Sequence, residues 1–183
     1  DAPSTNFSVL RLRRDIFRRS SIGVLFENRS RSASASGSNQ AYGVDGSFSF
    51  FEDLNFLGYY TTTRTEGWTG SDDSYRAQVD YAGDLFGGRV DHLFIGEDFN
   101  PEIGFLRRRG LRETFASARY SPRPAGIEWI RQVTFSGSMD YLENHPAGFV
   151  ESREFQGRFQ IELENSDSFS ASFSESYENL QDT

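Results

Sequence analysis

The chain has no cysteine and no lysine among its 183 residues, only two histidines and a single methionine. Without cysteine there are no disulfides, no thiolate zinc ligands and no thiol nucleophile. With only His92 and His145, a histidine-rich metal centre is also disfavoured. All 19 basic side chains are arginine, and 27 acidic ones leave a net charge of −8, which argues against a nucleic-acid partner. No run of 18 or more apolar residues occurs, so no transmembrane helix is expected. The only remaining way to cross a bilayer is a closed β-barrel.

Apolar content is also low, at 36%, while aromatics reach 15%, with 18 phenylalanines. That combination suits sheets with one apolar and one wet face. Period-two alternation recurs along the chain. From Ser168 to Glu178, Phe169, Ala171, Phe173 and Tyr177 share one face, broken by Glu175, and five serines hold the other. Before it, Phe155, Gly157, Phe159, Ile161 and Leu163 oppose Gln156, Arg158, Gln160, Glu162 and Glu164, with a turn expected at Asn165-Ser166-Asp167. This parity predicts a hairpin with Phe159 opposite Phe173 and Phe155 opposite Tyr177.

Other strands follow: Tyr42 to Phe50 with Phe48 and Phe50 apolar, Phe56 to Tyr60, Tyr75 to Tyr81 around Val79, and Trp129 to Tyr141 carrying Val133 and Phe135, with Arg131 an exception. Weaker strands fall near 7–13, 20–28, 86–96 and 112–121. On 86–96 the face is ambiguous, because Val90 and Phe94 compete with Leu93 and Ile95. The expectation is an all-β, antiparallel, up-and-down meander of about ten strands in one domain over 1–183, either an outer-membrane β-barrel or a segment of a larger one. The chain starts Asp1-Ala2-Pro3 and stops at Gln181-Asp182-Thr183, read as a mature piece of a longer parent.

Links near 51–53, 83–86 and 165–167 are short, and those at 29–40, 66–72, 97–111 and 142–148 are longer, with 14–19 and 121–127 intermediate. Outer-membrane barrels alternate short and long connections in this way. The 51–53 and 165–167 links should therefore share one end, and the 29–40 and 97–111 loops the other. Ser- and Ala-rich 29–38 reads as a flexible loop.

The residues expected to face lipid are Phe48, Phe56, Tyr60, Val79, Val133, Phe135, Phe155, Phe159, Ile161 and Phe173. Strands of roughly ten residues, aromatics with polar tips at the ends of apolar runs (Trp129, Tyr141, Tyr75, Tyr81) and polar faces of mixed charge all favour lipid outside and water inside.

Asn6–Asp15, Tyr42–Asp45, Phe99–Arg108, Tyr120–Pro124, Phe155–Gly157 and Glu164–Asp167 resemble an uncharacterised bacterial outer-membrane β-barrel family. In that family the barrel domain usually follows a family-9-type carbohydrate-binding module. The resemblance covers nearly the whole chain. It implies the outer membrane, a barrel of more than ten strands and no established activity; the sugar-binding module has no counterpart here.

Glu97, Asp98 and Glu102 could offer oxygen ligands to calcium, though their spacing departs from the helix–loop–helix pattern, and a turn at Pro101 and Gly104 is the simpler reading. Arg107, Arg108, Arg109 and Arg112 are candidates for lipopolysaccharide phosphate or another anion, or for pairing with the preceding carboxylates. Arg11, Arg13, Arg14, Arg18 and Arg19 form a second cluster. No Gly-x-Ser-x-Gly motif accompanies the serines. Glu162 and Glu164 share a strand face and could line a lumen, where glycosidase chemistry would need a cleft that raises the pKa of one member, so no catalysis and no cofactor are expected. The functional expectation is an outer-membrane segment serving as channel, transporter or assembly scaffold. Its partners would be membrane lipid and other outer-membrane or periplasmic proteins. The alternatives are a soluble cell-surface binding module, with Trp68 for sugar stacking, or a structural sheet assembly.

Overall fold

The computed structural model describes residues 4–70 and 72–180. Asp1–Pro3 and Gln181–Thr183, on which the reading of the chain ends rests, lie outside the described residues. The ten strands are β1 (Phe7–Ile16), β2 (Ser20–Arg29), β3 (Asn39–Phe50), β4 (Leu54–Thr65), β5 (Asp73–Ala82), β6 (Phe86–Ile95), β7 (Leu111–Tyr120), β8 (Ile130–Asn144), β9 (Phe149–Leu163) and β10 (Ser168–Glu178). They form one antiparallel sheet in strict sequence order, with no helix among the described residues. The sheet is open. β1 pairs only with β2 and β10 only with β9, so these ten strands do not close into a barrel.

Sequential antiparallel pairing puts alternate links at opposite ends. Links 17–19, 51–53, 83–85, 121–129 and 164–167 lie at one end, and 30–38, 66–72, 96–110 and 145–148 at the other. The expected arrangement of ends therefore holds. The link expected at 14–19 is in fact short, because Arg14, Asp15 and Ile16 continue β1 against Ile22, Ser21 and Ser20. The 121–129 link is long although it sits at the end with short links, and it takes Trp129 out of the strand. At the other end β8 and β9 extend toward each other and leave only four residues at 145–148.

The register brings the apolar positions into line. Phe48, Phe56, Val79, Val90, Ala116, Met139 and Phe155 form one row across β3 to β9. This row settles the ambiguity in β6, whose Val90 and Phe94 join the apolar face. Cross-strand ring pairs run along that face, including Phe26–Tyr42 at 5.2 Å, Tyr75–Phe94 at 5.1 Å, Phe86–Tyr120 at 5.0 Å and Phe135–Phe159 at 5.1 Å. His92, on the same face, bonds Thr114 Oγ1 at 2.8 Å and lies beside Tyr75.

The β9–β10 hairpin forms with both apolar faces on one side, but the register is two residues from the expected one. Phe159 faces Ala171, Phe173 faces Gly157, Phe155 faces Glu175 and Tyr177 faces Arg153. The turn is centred one residue earlier than Asn165-Ser166-Asp167. The Ser166 amide bonds Leu163 O at 3.0 Å, the Leu163 amide bonds Asp167 O at 2.9 Å, and Ser166 takes a left-handed φ of 73°. Moving a turn by one residue shifts each pair by two, so the faces survive while the partners change.

Arg131, out of place on the apolar face by alternation, falls at a register shift between Ile130 and Gln132. The bulge lets it reach Glu162 at 2.8 Å and approach Glu164 at 3.8 Å.

Candidate functional site

Face by face, the sheet separates an apolar side from a polar one. The polar side is concave. Side chains of β5 to β10 line a groove of about 830 Å³ there, among them Asp80, Arg89, Phe115, Arg119, Glu154 and Arg158. Three register rows cross it. The first holds Arg119, Ser136, Arg158 and Ser172; the second Arg89, Ser117, Ser138, Gln156 and Ser174; the third Asp91, Phe115, Asp140, Glu154 and Ser176. Asp91 takes both Arg76, through a two-pronged bond at 2.8 and 2.6 Å, and Arg89 at 2.8 Å. On β1, Arg11 pairs with Asp45 across β2.

One mouth of the concave side is covered by loop 96–110. Phe99, buried, packs with Ile95 and Leu111 and is backed by Leu93, Leu106 and Leu142, all apolar positions displaced onto the polar face. This accounts for the competing Leu93 and Ile95 of β6: they seat the loop. Farther along, Asn100 reaches the polar side of β3 and β4. Its amide bonds Thr63 Oγ1 at 3.0 Å, its carbonyl accepts from Asn39 Nδ2 at 2.8 Å, and its side chain donates to Ser34 Oγ at 2.9 Å. Asn39, Thr63, Thr65 and Asn100 are all buried, so the contact under the loop is a hydrogen-bonded polar layer.

Glu102 anchors the far end of the loop. Its side chain is only 4% exposed. It accepts from Ser32 Oγ at 2.5 Å, Ala33 N at 2.8 Å and Ser34 Oγ at 2.8 Å, with Arg29 at 3.4 Å. Burial alone would push its carboxyl up, but the serine and amide donors outweigh burial and hold it below the ordinary glutamate value. The Ser- and Ala-rich segment is therefore a folded cradle around a carboxylate. Ser32 Oγ also accepts from the amides of Ser34 and Ala35, and Ser32 N bonds Gly37 O at 2.8 Å. The signal for this was serine itself, which closes short side-chain-to-backbone turns.

The proposed calcium ligands do not converge. Glu97 is exposed, Asp98 accepts from the Gly70 amide at 2.6 Å and Glu102 is occupied by the cradle. No group of three or more potential ligands able to hold a metal gathers among the described residues. Nor does the arginine cluster present a shared face. Arg108 pairs with Glu151. Arg112 lies 3.6 Å from Glu143 and over Phe94, and Arg109 lies over the Trp68 ring at 5.1 Å and bonds Asn100. The carboxylate partners come from β8 and β9, not from the acidic residues just before the cluster. Arg107 remains exposed and without a partner among the described residues. Trp68, the residue suited to sugar stacking, has Arg109 over its ring.

No protein-family model, curated protein or solved structure matches the chain. The functional argument therefore rests on the sheet itself.

The ten residues expected to face lipid all lie on the apolar side, and none is buried; Phe173 is 65% exposed and Tyr60 48%. The chain exposes 12243 Å². A folded monomer of this mass exposes about 9,000 Å². The excess is what a single sheet with no second layer leaves open.

Proposed function

We propose that the chain is a stretch of an outer-membrane β-barrel wall, with its apolar side against lipid and its polar groove on the water-filled lumen, serving as channel or transporter. The observation that carries this reading is the uncovered apolar face, too large and continuous for a water-facing surface. The order of side chains across it agrees. Seven of the eight tyrosines are on this face, and they lie toward its two ends: Tyr81 and Tyr120 at one, Tyr42, Tyr60, Tyr75, Tyr141 and Tyr177 at the other. Phe, Val, Met, Ala and Gly fill most of the band between them, interrupted by His92, Thr114 and Glu175. Tyrosine belts flanking an apolar band are what a bilayer with two interfaces selects.

In this reading loop 96–110 narrows the lumen at one mouth. Lipid is the first partner, and the open edges of β1 and β10 call for further strands, because hydrocarbon tolerates no unpaired backbone. The family resemblance points to the same membrane. We assign no reaction to the chain. The soluble sugar-binding alternative loses its main support at Trp68, whose ring Arg109 covers.

Arginine substitution on the two faces tests the orientation. Phe159→Arg and Phe173→Arg should each cost roughly 2–4 kcal/mol near the membrane midplane, and Ser172→Arg, on the groove side, much less. Urea unfolding of the chain reconstituted in bilayers measures this. Equal costs at all three positions, or a chain that is folded and monomeric in plain buffer, overturn the reading.

A further inference from the structure

The register rows of the groove are graded in charge. Arg158 has Ser136 on one side and Ser172 on the other, and among the described residues it makes no ion pair or hydrogen bond. Arg119, in the same row, gives its donors to the carbonyls of Gly83 and Asp84 and to Ser121 Oγ, and the Asp84 carboxylate, which Arg123 holds, lies within range of its charge, so Arg158 is the unpaired cation of the row. Four residues along β9 on the same face, Glu154 lies directly opposite Asp140, and no arginine pairs with either. Like charges facing each other across a strand pair are unfavourable unless something else neutralises them. Between the two rows lie the neutral hydrogen-bonding groups Ser117, Ser138, Gln156 and Ser174, with Gln156 Nε2 donating to Glu154 at 2.7 Å; the row's one charge, Arg89 at its β6 end, is spent on Asp91.

We infer that this groove binds short zwitterionic peptides, the terminal carboxylate at Arg158, the terminal ammonium at Glu154 and Asp140, and the peptide amides along the Ser and Gln row. The inference rests on the polar groove being open to water, as the lumen reading requires. The spacing selects length. Arg158 and Glu154 are about 13 Å apart along the strand. An extended tripeptide spans about 10 Å, and side-chain reach covers the rest. A free amino acid is too short to touch both poles. The row of hydroxyls and amides accepts and donates without regard to peptide side chains, so length and end charges decide binding more than sequence does.

The test uses the full chain in detergent micelles, with triglycine as probe and titration followed by NMR or calorimetry. Triglycine should bind, and Arg158→Gln and Glu154→Gln should each weaken it roughly tenfold. Acetylating the triglycine amine should abolish the sensitivity to Glu154→Gln while leaving that to Arg158→Gln intact. Both groups are exposed, so the variants should keep the β-sheet circular dichroism of the parent. Equal binding of triglycine and its doubly blocked form by the unmodified chain overturns the inference without any variant. So does inorganic phosphate displacing triglycine at equal concentration, which marks a simple anion site, or a preference for maltotriose, which marks a sugar site. Lipid partitioning of the same samples, measured separately, tells failure of this site from failure of the membrane reading.

Discussion

Glu102 makes its contribution as an anion. Four contacts from the Ser32–Ser34 turn, together with Arg29, are arranged around a carboxylate that is nearly inaccessible to water. Hydrogen bonds to a charged group contribute more than neutral ones, and Glu102→Gln leaves several donors facing an amide that cannot accept them all. The expected loss is about 1.5–3 kcal/mol at neutral pH. Because the folded carboxyl titrates below its unfolded value, this stabilisation is fully present above the ordinary glutamate range. It fades as pH falls through the lower folded value. Urea midpoints of the parent and the Gln variant should therefore differ at pH 7 and converge in strong acid. A difference that is constant with pH would show that the cradle does not read charge. The serines signalled local turns, but the carboxylate they hold was not legible in the sequence, where Glu102 suggested a metal ligand. The partners are about seventy residues away in a segment of low complexity, and spacing along the chain says nothing of them.

At the level of elements, the alternation was legible wherever apolar residues recurred at period two, and the pairing was not. The β9–β10 hairpin shows why. Parity decides which face a side chain takes, and burial or lipid enforces it, but a two-residue slide preserves parity. Only the turn selects among such registers, here through the left-handed Ser166. In the observed register Gln160 and Ser170 are partners at a position between ladder hydrogen bonds, where side chains approach most closely. A Gln160→Cys/Ser170→Cys pair should therefore oxidise readily to a disulfide, and Gln160→Cys/Ser172→Cys should not. Gel mobility with and without reductant distinguishes them; the reverse result would restore the register with Phe159 opposite Phe173. In β6, Val90 and Leu93 compete for the apolar face because the strand carries apolar residues on both sides: Val90 and Phe94 in the apolar rows of the sheet, and Leu93 and Ile95 under loop 96–110.

For the whole molecule, the open edges are the feature with most consequence. β10 is exposed along its full length, and so is β1 except for its last residue, Ile16. An unpaired edge is tolerable in water or detergent and untenable in hydrocarbon. Amide hydrogen exchange should separate the two conditions. In micelles the outward amides of β1 and β10 should exchange fast while those of β4 to β7 stay protected; in bilayers all should be protected once the wall closes. Rapid exchange at both edges in bilayers would mean that the sheet lies on the membrane and does not span it.

The order of residues alone carries strand number, the two-sided character of the strongly alternating strands and the placement of turns to within about three residues, because backbone pleat converts period two directly into faces. It also carries the lack of any helix long and apolar enough to cross a bilayer. Register, the open edges, the folding of loop 96–110 across the concave side and the alignment of Arg158 with Glu154 along one groove belong to tertiary structure. Each depends on which strand lies beside which and by what offset. Those are set by the summed geometry of nine pairings and by contacts between loops far apart in the chain, and no local pattern encodes them.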